Sequence, residues 1–186
     1  MTLLRNTLLR VMYAPLDYVH PQRFPKTTEA LSAGVQQTVN HHLIKQYSLS
    51  TALDFSVRPG DFSQRLISDW KLLPKVAWLL GCKIARGSLA MSGQLAALPA
   101  VAQRFIALPL PCPATASDAS VSTTDIEQIG ARYLCQLQPQ LPDALAQRLP
   151  LVFAPESDNA DKLIPDLSLN RSLITFAFDY AKNSSN

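Results

Sequence analysis

The chain has 186 residues, a formal net charge of +3, and 47% hydrophobic against 17% charged residues. This length suits one domain, or one domain with a small addition. So small a net charge excludes the strongly basic composition from which nucleic-acid binding would be predicted. The charged fraction lies below the usual quarter of a globular protein, which favours a subunit that covers part of its surface with partners.

Cysteine usage and hydropathy favour a cytoplasmic protein. The three cysteines, Cys82, Cys112 and Cys135, are odd in number and widely spaced, which argues against a disulfide framework and against a zinc knuckle. Arg10 splits the first apolar run and Pro15 closes it, so no secretory signal is expected. Because no run of about 20 apolar residues exists, we also expect no membrane span.

The amino-terminal third holds the strand candidates. They are Leu8–Tyr13 and Leu53–Val57, and both are so short that they predict only a minor β element. Between them, apolar residues recur every four positions, which is typical of one face of a helix. That stripe comprises Leu31, Val35, Val39 and Leu43.

The central part predicts successive helices. Asp61 with Gln64 matches a capping box at the start of the first helix. Pro74 suits the first turn of the second helix, where a missing N–H costs nothing. That second helix is apolar nearly all round over Val76–Leu80 and is predicted to be central and buried. Pro99 repeats the start signal for a further helix. The apolar stripe of the first helix comprises Phe62, Leu66, Trp70 and Leu73.

The carboxy-terminal part alternates helices with proline-rich segments. Residues 109–123 are rich in Pro, Ser, Ala and Thr and predict a flexible linker. Thr124 with Glu127 forms a capping-box pattern ahead of the next helix. A short helix over Pro142–Arg148 and an extended loop over Pro150–Pro165 follow. The last helix is predicted to present one apolar face, formed by Leu169, Leu173, Phe176, Ala177 and Tyr180.

These patterns together predict an all-α protein, mainly one helical domain, with room for a minor β element near the amino terminus. The proline-rich linker at residues 109–123 divides the chain. A helical body spans residues 1–108. A carboxy-terminal helical part spans residues 124–186, and we expect it to pack on the body.

No set of catalytic side chains stands out in the sequence. His41 and His42 are neighbours and would point about 100° apart on a helix, so they do not form a natural metal pair. Cys82 lies in the most apolar stretch, which predicts a buried thiol rather than a nucleophile. Asp158 and Asp161, in the predicted loop, come closest to a cation site, and two carboxylates alone make a weak one. We therefore predict no catalytic, cofactor-binding or metal-binding residue.

One segment, Pro15–Arg23, gathers an aromatic residue, a histidine and an arginine around two prolines. Proline restricts the backbone and so holds neighbouring side chains in fixed directions. Tyr and Arg are enriched at interface hot spots, which makes Tyr18, His20 and Arg23 candidates for a partner interface. The alternative is a rigid turn packed on the domain's own helices.

Three blocks of sequence carry a resemblance to a known family. They read YAPLDYVHPQR at Tyr13–Arg23, LPKVAWLLGC at Leu73–Cys82 and LAQRLPLVF at Leu145–Phe153. In this order they resemble the OrgA/MxiK (SctK) family of type III secretion proteins, and the helix ending at Asp179–Lys182 is similar more loosely. The blocks span most of the chain. Similarly placed residues after the second block are Arg86, Leu89 and Ala90.

The resemblance implies a cytoplasmic accessory subunit of the type III secretion sorting platform, peripheral to the inner-membrane apparatus. The partners it implies are the pod protein of the SpaO/SctQ type and the cytoplasmic domain of the inner-membrane ring protein. The SctL-type stator and the secretion ATPase would be linked indirectly, through the pods. The resemblance defines no functional residue.

The expected function is therefore that of a non-enzymatic adaptor that supports protein export, and two alternatives stay open. A type III secretion chaperone would bind effectors directly, although such chaperones are usually small, acidic and dimeric with a sheet. A thiol hydrolase would use Cys82, and it would need a pocket that brings a distant histidine within hydrogen-bond reach of the thiol.

Overall fold

The computed structural model describes residues 2–24, 31–53, 55, 57, 60–113, 122–155 and 169–183. No strand occurs within these ranges, so the predicted all-α class is confirmed. None of the helices described is long and apolar enough to cross a bilayer. The helices are α1 (Thr2–Tyr13), α2 (Ala33–Gln46), α3 (Phe62–Ser68), α4 (Leu73–Ile84), α5 (Arg86–Met91), α6 (Ala100–Ile106), α7 (Thr123–Cys135), α8 (Asp143–Ala146) and α9 (Arg171–Asn183).

The chain folds into two compact units, each assembled from two separate stretches of sequence. Unit 1 comprises Met1–Lys71 and Leu137–Pro155, and unit 2 comprises Leu72–Gln136 and Glu156–Asn186. Both units are therefore closed by contacts between residues that are far apart in the sequence.

The division predicted at residues 109–123 stays a prediction. Residues 109–113 are without helix or strand, and residues 114–121 of the predicted linker lie outside the described residues. The same holds for most of the predicted loop, because residues 156–165 are not described. Its first residues form a 3-10 turn over Leu149–Val152.

Unit 1 is built around α1, α2 and α3, with α1 packed on α3. The strand predicted at Leu8–Tyr13 is wrong, because these residues form the second half of α1. Leu, Arg and Met are strong helix formers, and the helix buries Val11 and Met12. Leu53, Phe55 and Val57 form no strand in the part of the chain that is described.

A cluster of buried apolar side chains in unit 1 packs α2 against the turn after α1. Val19, Leu43, Leu49 and Leu151 are buried together. The stripe predicted on α2 is confirmed only in its second half, because Leu43 is buried whereas Val35 is 46% exposed. The first turns of α2 lie at the surface of unit 1.

Unit 2 is organised around α4, against which α6, α7 and α9 pack. The predicted central burial is confirmed, since Val76, Leu79, Leu80 and Cys82 are all fully buried. Pro74 lies in the first turn of α4, as expected from its missing N–H. On α9, Phe176 does not belong to the buried face as predicted, and it is 42% exposed. The buried face of α9 is Leu173, Ile174, Ala177, Phe178 and Ala181.

The predicted capping box of α7 is displaced by two residues. The helix begins after Ser122 and not after Thr124. The Ser122 hydroxyl accepts a hydrogen bond from the Asp125 amide at 3.2 Å, and the Asp125 carboxylate accepts one from the Ser122 amide at 2.8 Å. The Ser122–Asp125 pair therefore forms the capping box and satisfies backbone N–H donors of the first turn. Thr124 and Glu127, the predicted capping pair, lie within the helix.

The cap of α3 also differs from the prediction. Asp61 occupies the N-cap position but makes no side-chain hydrogen bond to the helix. Gln64 instead accepts a bond from the amide of Gly60 at 2.7 Å. The glutamine therefore ties down the preceding turn, which takes a positive φ of 82° at Gly60.

Candidate functional site

The turn after α1 is fixed by backbone hydrogen bonds. Pro15 starts a 3-10 turn over Pro15–Asp17. The amides of Tyr18 and Val19 both donate to the carbonyl of Pro15, at 3.1 and 2.8 Å. Since proline presets φ near −65°, this turn has little conformational freedom. The three candidate residues, Tyr18, His20 and Arg23, follow this restrained turn in the chain.

The side chain of Tyr18 is half-buried and makes its contacts within unit 1. Its hydroxyl donates to the carbonyl of Val11 at 3.0 Å. Its ring meets Trp70 edge to face, with centroids 5.5 Å apart, an arrangement that aromatic pairs favour. Burial raises the pKa of Tyr18 above its ordinary value, which keeps the phenol protonated and able to donate.

Arg148, from the block at Leu145–Phe153, lies beside Tyr18 and is fully buried. Its guanidinium donates to the carbonyl of Ala144 at 2.7 Å and to that of Met12 at 2.8 Å. Burial lowers the pKa of Arg148, and the electrostatic interaction with the neighbouring Tyr18 side chain opposes that shift. Arg148 thus satisfies the Met12 carbonyl, which lies in the last turn of α1 and has no partner within the helix.

Arg23 also binds within unit 1. Its Nε donates to the carbonyl of Phe153 at 2.7 Å, and its Nη2 donates to that of Ala154 at 3.4 Å. The carbonyl of Arg23 accepts a long hydrogen bond of 3.4 Å from the Tyr47 hydroxyl. Hydrogen bonds from a charged donor are the stronger kind, so Arg23 fastens the turn to the chain near residue 153.

His20 completes this connection through its backbone. Its amide donates to the carbonyl of Leu151 at 2.9 Å. Its Nδ1 accepts a bond from the Gln22 amide at 3.2 Å, which requires that this nitrogen carry no proton. His20 is half-buried, and its main-chain amide joins the turn to the block at Leu145–Phe153.

The three candidate residues therefore lie in one joint that connects two distant parts of the sequence. The joint unites the turn at Pro15–Arg23 with the block at Leu145–Phe153. This geometry favours the packed turn over the free interface, and a partner-binding role of Tyr18, His20 and Arg23 stays a prediction. Sequence analysis missed Arg148. A signal was present, because Arg148 is the one charged residue of this block.

Cys82 lies in unit 2 and is poorly suited to nucleophilic chemistry. The residue is fully buried, and burial raises the pKa of its thiol to about 12. A reactive cysteine needs the opposite shift. Unit 2 contains no histidine at all, so a Cys82–His pair cannot form within it. His41 and His42 are both exposed on α2.

An open groove of about 660 Å³ on unit 1 runs beside α2. Its lining mixes polar groups with a few apolar ones and includes neither a carboxylate nor a thiol. Across the described residues, no cluster of three His, Cys, Asp or Glu is placed to hold a metal ion. The groove is lined by Tyr13, Ala33, Gln36, Gln37, Thr38, Asn40, His41 and Ile44.

Comparison with known proteins gives a match along nearly the whole chain. Residues 8–183 match the family described as bacterial type III secretion apparatus protein (OrgA_MxiK). The chain is also similar to the oxygen-regulated invasion protein OrgA of three strains of Salmonella typhimurium, with 29% identity over 178 residues. That alignment covers 95% of this chain and 87% of the relative. No solved structure gives a significant match.

Proposed function

Because this chain belongs to the OrgA_MxiK family of bacterial type III secretion apparatus proteins, we propose that it is a cytoplasmic, non-enzymatic adaptor of the sorting platform. It links the pod protein of the SpaO/SctQ type to the cytoplasmic domain of the inner-membrane ring protein, and through the pods it connects to the SctL-type stator and the secretion ATPase. The observation that carries this proposal is the family match over residues 8–183.

The way in which buried charges are used supports an adaptor. Arg148 in unit 1 and Lys83 in unit 2 are both fully buried, and both hold backbone carbonyls. The Lys83 ammonium donates to the carbonyls of Ile106 and Leu108 at 3.0 and 2.7 Å. Such bonds fix helix ends and make each unit rigid, which suits a subunit that presents preformed surfaces to its partners.

The adaptor proposal predicts simultaneous binding. The full-length protein is titrated by calorimetry against the purified pod protein and, separately, against the cytoplasmic domain of the ring protein. We expect saturable binding to both, and a three-component species in sedimentation when all are mixed. Binding to neither partner, or mutually exclusive binding, would reject the adaptor function.

The same titration separates the adaptor from a chaperone. A chaperone would bind unfolded effector segments more tightly than either apparatus protein, so effector peptides serve as a third titrant. We expect no saturable effector binding. A loss of export on deletion of the protein is expected under both functions and does not discriminate, so the affinities decide.

A further inference from the structure

A long stretch of unit 2 carries no charge although much of it is exposed. Residues 87–103 contain no Asp, Glu, Lys or Arg, and Arg86 and Arg104 bound the stretch. It covers most of α5, a 3-10 turn over Gln94–Ala97 and most of α6. We call its exposed part the α5–α6 surface. It includes Gly87, Ala90, Met91, Gln94, Ala96 and Ala97.

The α5–α6 surface is held rigidly. The 3-10 turn packs against α5, and Gly93 makes the bend between them with a φ of 72°. The side-chain amide of Gln103 donates to the carbonyls of Ala96 and Leu98, at 3.0 and 2.7 Å. Underneath, Leu89 and Ala102 are buried. The surface is therefore preformed, and a partner would not have to order it.

Its composition lowers the cost of covering it. Glycine and alanine lose no side-chain rotamer entropy on burial, and the absence of charge removes the largest desolvation penalty. Met91 is 72% exposed at the end of α5, and methionine is a flexible apolar side chain that adapts to a partner's shape. Small residues around one adaptable apolar side chain allow a helix to approach closely.

The two bounding arginines give the surface a charge preference. Arg86 and Arg104 are both exposed, and within the described part of the chain neither forms an ion pair with a carboxylate. A partner with acidic residues beside its apolar face would neutralise both guanidinium groups, whereas a basic partner would be repelled.

We propose that the α5–α6 surface docks an apolar helix of another secretion-apparatus subunit, and that Asp or Glu residues flank the apolar face of that helix. This inference rests on the proposed adaptor function and adds the surface and the chemistry of the partner. A lipid bilayer fits the surface less well, because membrane-bound surfaces present several Leu, Phe or Trp side chains with many cations, and here Met91 is the one large apolar side chain among the exposed residues of 87–103.

The experiment places a charge at Met91, the large exposed apolar side chain of the surface. Met91→Glu and Met91→Lys are titrated, as full-length proteins, against the pod protein and the ring protein's cytoplasmic domain. We expect Met91→Glu to weaken binding to one of the two by about tenfold or more. Met91→Lys should lose less, because an acidic flank tolerates a cation. A greater loss in Met91→Lys would overturn the acidic partner.

Leu3→Glu is the matched control, since Leu3 is 82% exposed on α1 in the other unit. Its affinity for both partners should equal that of the wild type, and thermal melts should show that all variants fold. If the wild type binds a partner and Met91→Glu binds equally well, the surface is rejected while the adaptor function stands. If the wild type binds neither, the adaptor function itself fails.

Charge reversal tests the flanking arginines separately. The double variant Arg86→Glu and Arg104→Glu should weaken binding and flatten its dependence on salt, because screening acts on exposed charges. Lys45→Glu, an exposed cation on α2, is the control. Met91→Glu also tests two other occupants of the surface, a lipid membrane and a second copy of the chain. Binding to phosphatidylglycerol vesicles and self-association in sedimentation are compared between this variant and the wild type. If the variant loses either of these while its affinity for both partner proteins is unchanged, the proposal is overturned.

Discussion

Arg148 shows how a single residue can connect parts of the chain that the sequence separates. Its guanidinium lies in the interior of unit 1 and binds carbonyls from α1 and α8. Removing a buried cation of this kind lowers the stability of the fold, because its carbonyl partners then lose their hydrogen-bond donors.

Arg148→Met should lower the free energy of unfolding by about 3 kcal/mol or more. Arg148→Lys should recover only part of that loss, because an ammonium group cannot reproduce the planar fork of the guanidinium. Urea titration followed by circular dichroism measures both. Arg10→Ala is the control, since the Arg10–Asp17 pair is exposed and should cost about 1 kcal/mol or less. Equal losses at positions 10 and 148 would contradict the burial argument.

Burial of the Cys82 thiol is expected to make the free energy of unfolding depend on pH. Burial raises the pKa of its thiol to about 12 in the folded protein, whereas an unfolded cysteine titrates near pH 8.5. Above about pH 8.5 the unfolded chain loses this proton and the folded chain keeps it, so ionisation favours unfolding. The contribution is fully present below that pH and is lost progressively as the pH rises towards 12.

The free energy of unfolding should therefore fall more steeply with pH in the wild type than in Cys82→Ala, between about pH 9 and 11. Urea titrations at several pH values measure this difference in slope, and the neutral-pH difference sets the constant cost of the lost side chain. Parallel curves would show that the thiol is not protected in the folded state.

The packing of α4 on α7 depends on two glycines at the scale of the helices. A Cβ added at Gly81 would overlap the carbonyl oxygen of Ile126, and one added at Gly130 would overlap that of Ala77. The obstruction in both cases is backbone, which cannot rotate away as a side chain can. The two helices therefore approach more closely than side chains would permit.

Gly81→Ala should destabilise the protein by about 3 kcal/mol or more, because α7 must shift to make room for one methyl group. Gly87→Ala is its control, since nothing lies within 4 Å of a Cβ at that exposed helical position. That variant should be neutral or gain about 0.5 kcal/mol from lower unfolded-state entropy. Thermal melts of both variants, compared with the wild type, test the close approach.

The start of α7 can be tested by a pair of cap variants. Ser122→Ala should cost about 1 kcal/mol, because the Asp125 amide loses its acceptor. Thr124→Ala should be nearly neutral, since that residue lies inside the helix and not at its cap. Urea titration distinguishes the two. A larger loss at Thr124 would support the helix start read from the sequence rather than the one in the structure.

For the whole molecule, the notable property is that each unit is closed by two distant stretches of chain. In unit 1 the closure includes the bonds from Arg23 and His20 to the residues around 151–154. Loop closure costs conformational entropy, and these bonds are among the contacts that offset this cost.

Arg23→Ala should lower stability by about 2 kcal/mol and leave the affinity of the folded protein for the pod and ring partners unchanged. Gln22→Ala, at an exposed position in the same turn, should change neither quantity. Thermal melts and calorimetric titrations measure the two effects independently. A loss of affinity without loss of stability would instead establish Arg23 as a partner contact.

The sequence by itself determined the all-α class and the burial of α4. Its apolar run has helical periodicity and is bounded by Pro74, and both signals are local. It also identified the blocks that carry the family resemblance, since residue order alone conveys them. The strand predicted at Leu8–Tyr13 was wrong because a short apolar run is compatible with the periodicity of a strand and with that of a helix.

Only the tertiary structure decided how the blocks are joined. Tyr18 and Arg23 have the residue types of an interface, yet their hydrogen bonds go to Val11, Phe153 and Ala154. A donor's partner depends on which backbone oxygen the fold brings within about 3 Å, and the carbonyls that Arg23 binds lie 130 and 131 residues away. The same reason applies to Gly81, because whether a glycine is obligatory depends on the helix that packs against it.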